Sequence, residues 1–143
     1  MDNPSASIAE FVKFVRTNLK GDEKGEAQIY CDRLFRAFGH PGIYEAGGTL
    51  EFRIHERKGT KFADLLWRPR LLLEMKKSGE KLEKHYQQAF EYWLHLVPNR
   101  PEYVVLCNFD EFWVYDFDRC ADAHRGLAAS RVTRRFCEPS QPS

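Results

Sequence analysis

The chain lacks the marks of a cysteine-bound metal site, a membrane segment or a uniformly basic binder. Its cysteines, Cys31, Cys107, Cys120 and Cys137, are scattered through 143 residues, and no Cys-x-x-Cys pair occurs. That excludes a zinc knuckle and gives no disulfide framework. No apolar run approaches the length of a membrane span, and the N-terminus lacks a signal-peptide pattern. The expected setting is cytoplasmic, with no membrane partner. There is no internal repeat. His55, His85 and His95 offer no metal-ligand spacing. The formal net charge is only +1, so the chain as a whole is not a basic nucleic-acid binder.

What is present is unevenly placed. From Arg53 to Lys84 there are ten Arg and Lys against five Asp and Glu. This excess surrounds an acidic hairpin. Such a distribution suits a polyanion brought to a carboxylate site that holds a cation.

The hairpin is the most informative stretch. Two short apolar runs, Phe62 to Trp67 and Leu71 to Lys76, flank Arg68-Pro69-Arg70. A turn centred near Pro69 puts Asp64 directly opposite Glu74. Cross-strand partners have Cβ atoms about 4.5–5.5 Å apart. Two carboxylates that close repel unless a cation lies between them. Lys76 stands two residues past Glu74 and leaves the same face of the strand. Two acids and an amine converging on one point suggest a metal-dependent hydrolytic site.

Periodicity predicts helices from about Ser7 to Leu19, Glu23 to Phe38 and Lys81 to Leu96. Strands are expected at about Thr49–Glu56, Lys61–Trp67, Leu71–Lys76, Tyr103–Cys107 and Phe112–Phe117. Three strands in succession exclude a doubly wound sheet from the first strand. The expected class is α/β (α+β), with a mixed central sheet flanked by helices. From Asp118 the pattern fails. The reading is a domain over residues 1–117 and a weakly ordered tail over 118–143.

Several stretches together resemble the PD-(D/E)XK nuclease fold. More closely, they resemble the N-terminal endonuclease domain of MmeI-like Type IIL restriction–modification enzymes. They are Gly25-Glu26-Ala27-Gln28 through Leu34 to Gly39, Asp64 through Glu74-Met75-Lys76, Tyr86-Gln87-Gln88 through Tyr92, and Tyr103 to Asn108. The resemblance covers about residues 8 to 117. It implies a Mg²⁺-dependent DNA endonuclease hydrolysing phosphodiester bonds, with Mn²⁺ able to substitute. Asp64 and Glu74 would ligate the ion, with the Met75 carbonyl as a further ligand. Lys76 would orient or deprotonate the attacking water. Glu26 would be an auxiliary metal acid, though it also reads as a solvated residue of a first helical turn. Gln88 and Tyr92, four apart on one helix face, resemble a motif of RecB-like nucleases. In that pattern Gln88 would hold Lys76, a water or the phosphate, while Tyr92 reads equally well as a core aromatic. Arg53, Lys61 and Lys77 are candidates for contact with DNA phosphates, and each reads equally well as a solvated charge.

Enzymes of that family also carry a methyltransferase and a target-recognition region. This chain has no Gly-rich cofactor loop and no Asn-Pro-Pro-Tyr type methylation motif. The expectation is a fragment, a truncated frame or a stand-alone nuclease module. S-adenosylmethionine would act only through a methyltransferase part outside it. The implied partners are double-stranded DNA and a downstream methyltransferase and target-recognition region, with self-association left open. Two other functions fit the pattern: a nuclease-like module that binds DNA or a partner without cutting, and a nuclease acting on DNA ends or branches.

Overall fold

The computed structural model describes residues 4–117 and 129–135. Helices α1 (Pro4–Asn18) and α2 (Glu23–Ala37) pack on one another, and a short helix α3 (Ile43–Ala46) leads into the sheet. Strands β1 (Thr49–Glu56), β2 (Gly59–Trp67) and β3 (Leu71–Met75) follow as a meander. A 3-10 turn (Leu82–His85) opens into helix α4 (Tyr86–His95), which carries the chain to β4 (Tyr103–Cys107) and β5 (Glu111–Tyr115). Strand β6 (Ala129–Arg135) completes a six-stranded sheet whose spatial order is the order in the chain. Only β3 and β4 run parallel. Parallel neighbours need a long crossover, and α4 supplies it. This is the mixed, helix-flanked α+β sheet that the sequence predicts.

The sheet is covered on both faces. Phe11, Val15, Tyr30, Cys31 and Leu34 of α1 and α2 pack on Leu65, Leu73, Met75, Val105 and Cys107. On the other face Tyr92, Trp93 and Leu96, from α4 and its C-terminal end, pack on Leu66, Leu72, Val104 and Leu106. Strands β3 and β4 send residues alternately to the two cores, which explains their continuous apolar runs. Among the described residues no helix is long and apolar enough to cross a membrane.

Three features differ from the sequence expectations. The first helix begins at Pro4, so Ser7 lies within it. The third helix starts as a tight 3-10 turn. The segment expected to be a weakly ordered tail contributes β6, antiparallel to β5, so the sheet passes the expected domain limit at residue 117. Ala-Ser-Arg-Val-Thr-Arg-Arg has no apolar alternation, and backbone pairing along a sheet edge leaves no such mark in sequence. Residues 118–128 and 136–143 of that tail lie outside the described residues.

Candidate active site

The β2–β3 register pairs Trp67 with Leu71, Leu66 with Leu72 and Leu65 with Leu73. It is centred on Pro69, and its continuation sets Asp64 opposite Glu74. The backbone ladder stops at Leu65 and Leu73, where side chains take over. The Asp64 N–H donates to Glu74 Oε1 at 3.2 Å, and the Met75 N–H donates to Asp64 Oδ2 at 2.7 Å. Each carboxylate thus binds the main chain of the opposite strand.

Lys76 follows at once. Its Nζ lies 3.5 Å from Glu74 Oε2 and donates to Gln88 Oε1 at 2.8 Å. Its own N–H donates to the Cys107 carbonyl at 2.7 Å and extends the pairing toward β4. Buried Ala89, Tyr92 and Trp93 fix α4 against the sheet and so fix Gln88. Met75 is fully buried in the α1–α2 core.

Glu74 is only 8% exposed. Burial, and next the charge of Asp64, push its carboxyl up to about 8, against a smaller opposing pull from Lys76. Burial also raises the Asp64 carboxyl, while the Met75 N–H opposes the rise. Near neutral pH the metal-free pair therefore retains a proton. A cation in its place would satisfy both carboxylates. Among the described residues no three His, Cys, Asp or Glu side chains form a metal cage. What converges is a pair of acids. This fits Mg²⁺, which binds through one or two carboxylates, keeps several waters and takes further oxygens from a phosphate.

Asp64, Glu74 and Lys76 line a cleft of about 330 Å³ between the sheet and the first turns of α2. Glu23 and Gln28 contribute from the helix, and Glu51 from β1. Sequence reasoning missed both of these acids. Glu23 lies four residues before Ala27, so extending the apolar stripe of α2 by one turn would have found it. Glu51 gave no such signal. The register pairs Leu50 with Leu65 and Phe52 with Ala63, which leaves Glu51 facing Asp64. Leu50 and Leu65 belong to the α1–α2 core, yet Phe52 and Ala63 belong to the α4 core. A regular strand keeps residues two apart on one face. Both strands therefore break their alternation at Glu51 and Asp64, and Glu51 holds a left-handed φ of 51°. Such breaks re-aim side chains, and they concentrate beside active sites.

Glu26 is placed differently from the auxiliary ligand that was expected. Its carboxylate accepts the N–H groups of Lys20, Gly21 and Asp22 and holds the α1–α2 loop. These bonds keep its carboxyl below its usual range. That loop is tied to the segment that follows Lys76: the Ser78 N–H donates to the Gly21 carbonyl at 3.0 Å. A Cβ on Gly21 would meet Ser78 at 2.2 Å, and φ there is +90°, so glycine is required. None of Arg53, Lys61 and Lys77 lines the cleft.

A protein-family profile described as "MmeI, N-terminal domain" matches residues 5–136. No curated protein sequence gives a match. Among solved structures, one titled "cryoEM structure DrdV-DNA complex" aligns with a TM-score of 0.50 at 10% sequence identity. The alignment covers 93% of this chain and 12% of that one, so the chain spans about an eighth of its neighbour's length. At that identity the likeness is one of fold.

Proposed function

We propose a function from the premise that the match over residues 5–136 supplies: the chain belongs to the family of MmeI N-terminal domains. On this reading it is the DNA-cutting domain of a restriction system, a Mg²⁺-dependent endonuclease that hydrolyses phosphodiester bonds. The observation that carries the reading is the convergence of Asp64, Glu74 and Lys76 at one cleft, with Gln88 bonded to the Lys76 ammonium. The proposed partner is double-stranded DNA. The structural neighbour, solved with DNA, is consistent with that choice.

Asp64 and Glu74 would hold Mg²⁺ (or Mn²⁺), with the Met75 carbonyl as a further ligand. When bound, the ion would offset charge building on the phosphate. The protein groups have distinct tasks. An ammonium has three protons to donate. Lys76 gives one to Gln88 and turns another toward Glu74, which leaves the third for the attacking water or a phosphate oxygen. Gln88 is a positioning residue that fixes where this proton points. The water oxygen bonds to phosphorus and gives up one proton to solvent. The bond to the leaving oxygen breaks, and that oxygen takes one proton from solvent, so the net change is the addition of one water across the bond.

The test uses the whole chain with duplex plasmid and Mg²⁺. Asp64→Ala and Lys76→Ala should each abolish nicking and cutting. Gln88→Ala should slow them about tenfold, less than the loss of about 10²–10⁴-fold for a positioned acid or base, because the Lys76 ammonium remains. Cutting that persists unchanged in Lys76→Ala would sink the assignment. Metal loading is read separately. Mg²⁺ or Ca²⁺ should raise the melting temperature of the wild type but not of Asp64→Ala.

A further inference from the structure

The β1–β2 hairpin continues well past the edge of β3. Its pairing runs from Thr49–Leu66 out to Glu56–Gly59, whereas β3 pairs only with Leu65, Leu66 and Trp67. Beyond Asp64 the two strands form a ribbon that starts at the cleft and leads away from it. One face is anchored: Phe52, Ile54 and Ala63 pack into the α4 core. The other is open. Arg53 stands opposite Phe62, and His55 opposite Thr60, all exposed. The Arg53 guanidinium carbon lies 5.7 Å from the Phe62 ring centroid. Phe62 is 52% exposed. From 52 to 63 the ribbon carries Arg53, Arg57, Lys58 and Lys61 against Glu56 alone. No ion pair found among the described residues involves these four cations.

We propose that this open face is the arm that grips the backbone of duplex DNA beside the cutting site. The proposal rests on the nuclease reading above and adds the contact surface to it. Charge is divided between the two regions: the acids are gathered in the cleft, and uncompensated cations begin two residues away. Two residues of strand advance about 6.6 Å, and phosphates on one DNA strand recur about every 3.4 Å along the axis. Since the axial rise is a lower bound on the spacing of phosphates, Arg53 is placed to reach a phosphate about one or two nucleotides from the one at the carboxylates. Phe62 positions Arg53 by lying against its guanidinium group, a contact suited to Arg. At the tip, Arg57 and Lys58 extend the same track. The ribbon's anchored face keeps it from swinging freely, so the arm is set before DNA arrives.

The experiment measures binding rather than cutting. The whole chain is titrated into labelled duplex DNA with Ca²⁺ over a series of salt concentrations. Arg53→Gln should weaken binding about tenfold and reduce the slope of log affinity against log salt by about 0.9. Joint Arg57→Gln and Lys58→Gln should reduce it by about 1.8, at about 0.9 for each phosphate no longer neutralised. Phe62→Leu should weaken binding with the slope unchanged. All should melt as the wild type does and keep its Ca²⁺-dependent rise. Unchanged slopes in both charge variants overturn the arm, as does a wild type that fails to bind duplex at any salt. A wild type that binds through the ribbon but neither loads metal nor cuts overturns the nuclease reading instead.

Discussion

Glu74 makes the metal-free protein sensitive to pH in a direction that can be worked out. Its carboxyl titrates at about 8 in the folded chain and near 4.5 when unperturbed. Between those values the folded state keeps a proton that the unfolded state has released. Stability therefore falls as pH rises from about 4.5 to about 8, then levels off. The slope for one retained proton is about 1.4 kcal/mol per pH unit and halves at the folded titration point, so from about pH 6 to about pH 8 the loss is slightly over ~2 kcal/mol. For a domain of this size each kcal/mol moves the melting temperature by about 3–5 °C, giving a fall of about 10 °C. The assay is thermal unfolding of the chelator-treated protein across that range. Glu74→Gln has no carboxyl to ionise at that position and should remove most of the fall. Saturating Mg²⁺ should remove it in the wild type by favouring the ionised pair. A flat profile in the metal-free wild type would refute the reasoning. So would an equal fall in Glu74→Gln, since the proton would then reside elsewhere.

Two further outcomes follow from the residues around that pair. Glu51→Gly should stabilise the protein by about 1 kcal/mol in denaturant unfolding, because glycine adopts the left-handed φ without the side-chain penalty. Glu26→Ala should lower the melting temperature without abolishing the Mg²⁺-dependent rise, because it frees three loop N–H groups and leaves the two carboxylates in place. Since hydrogen bonds depress the Glu26 carboxyl in the fold, the stability it lends should fade as pH drops through its folded value.

The carboxylate hairpin was legible because its geometry is local. A turn at Pro69 fixes which residues face each other, and the count from Asp64 to Glu74 then suffices. Gln88 was legible only through the resemblance of Gln88 and Tyr92 to a motif of RecB-like nucleases, which left Lys76, a water and the phosphate open as partners; the fold brings it to Lys76. Glu51 was not legible, because nothing local requires a left-handed residue in a strand whose flanks read as regular. Its conformation arises where two strands change faces together. The role of Glu26 was hidden for another reason. An acid near a helix start can face a cleft or turn back on the preceding loop, and only the path of that loop decides. Strand β6 lacked a pattern because backbone pairing to β5 needs none.

The interrupted ladder has an experimental use. The amide protons of Asp64 and Met75 are held by carboxylates, not by neighbouring strands. Their exchange with solvent deuterium should follow the orientation of those side chains more than the opening of the sheet. Any ion, proton or phosphate that turns either carboxylate would then change a signal at two known backbone positions. The site carries its own occupancy gauge, independent of whether any bond is cut.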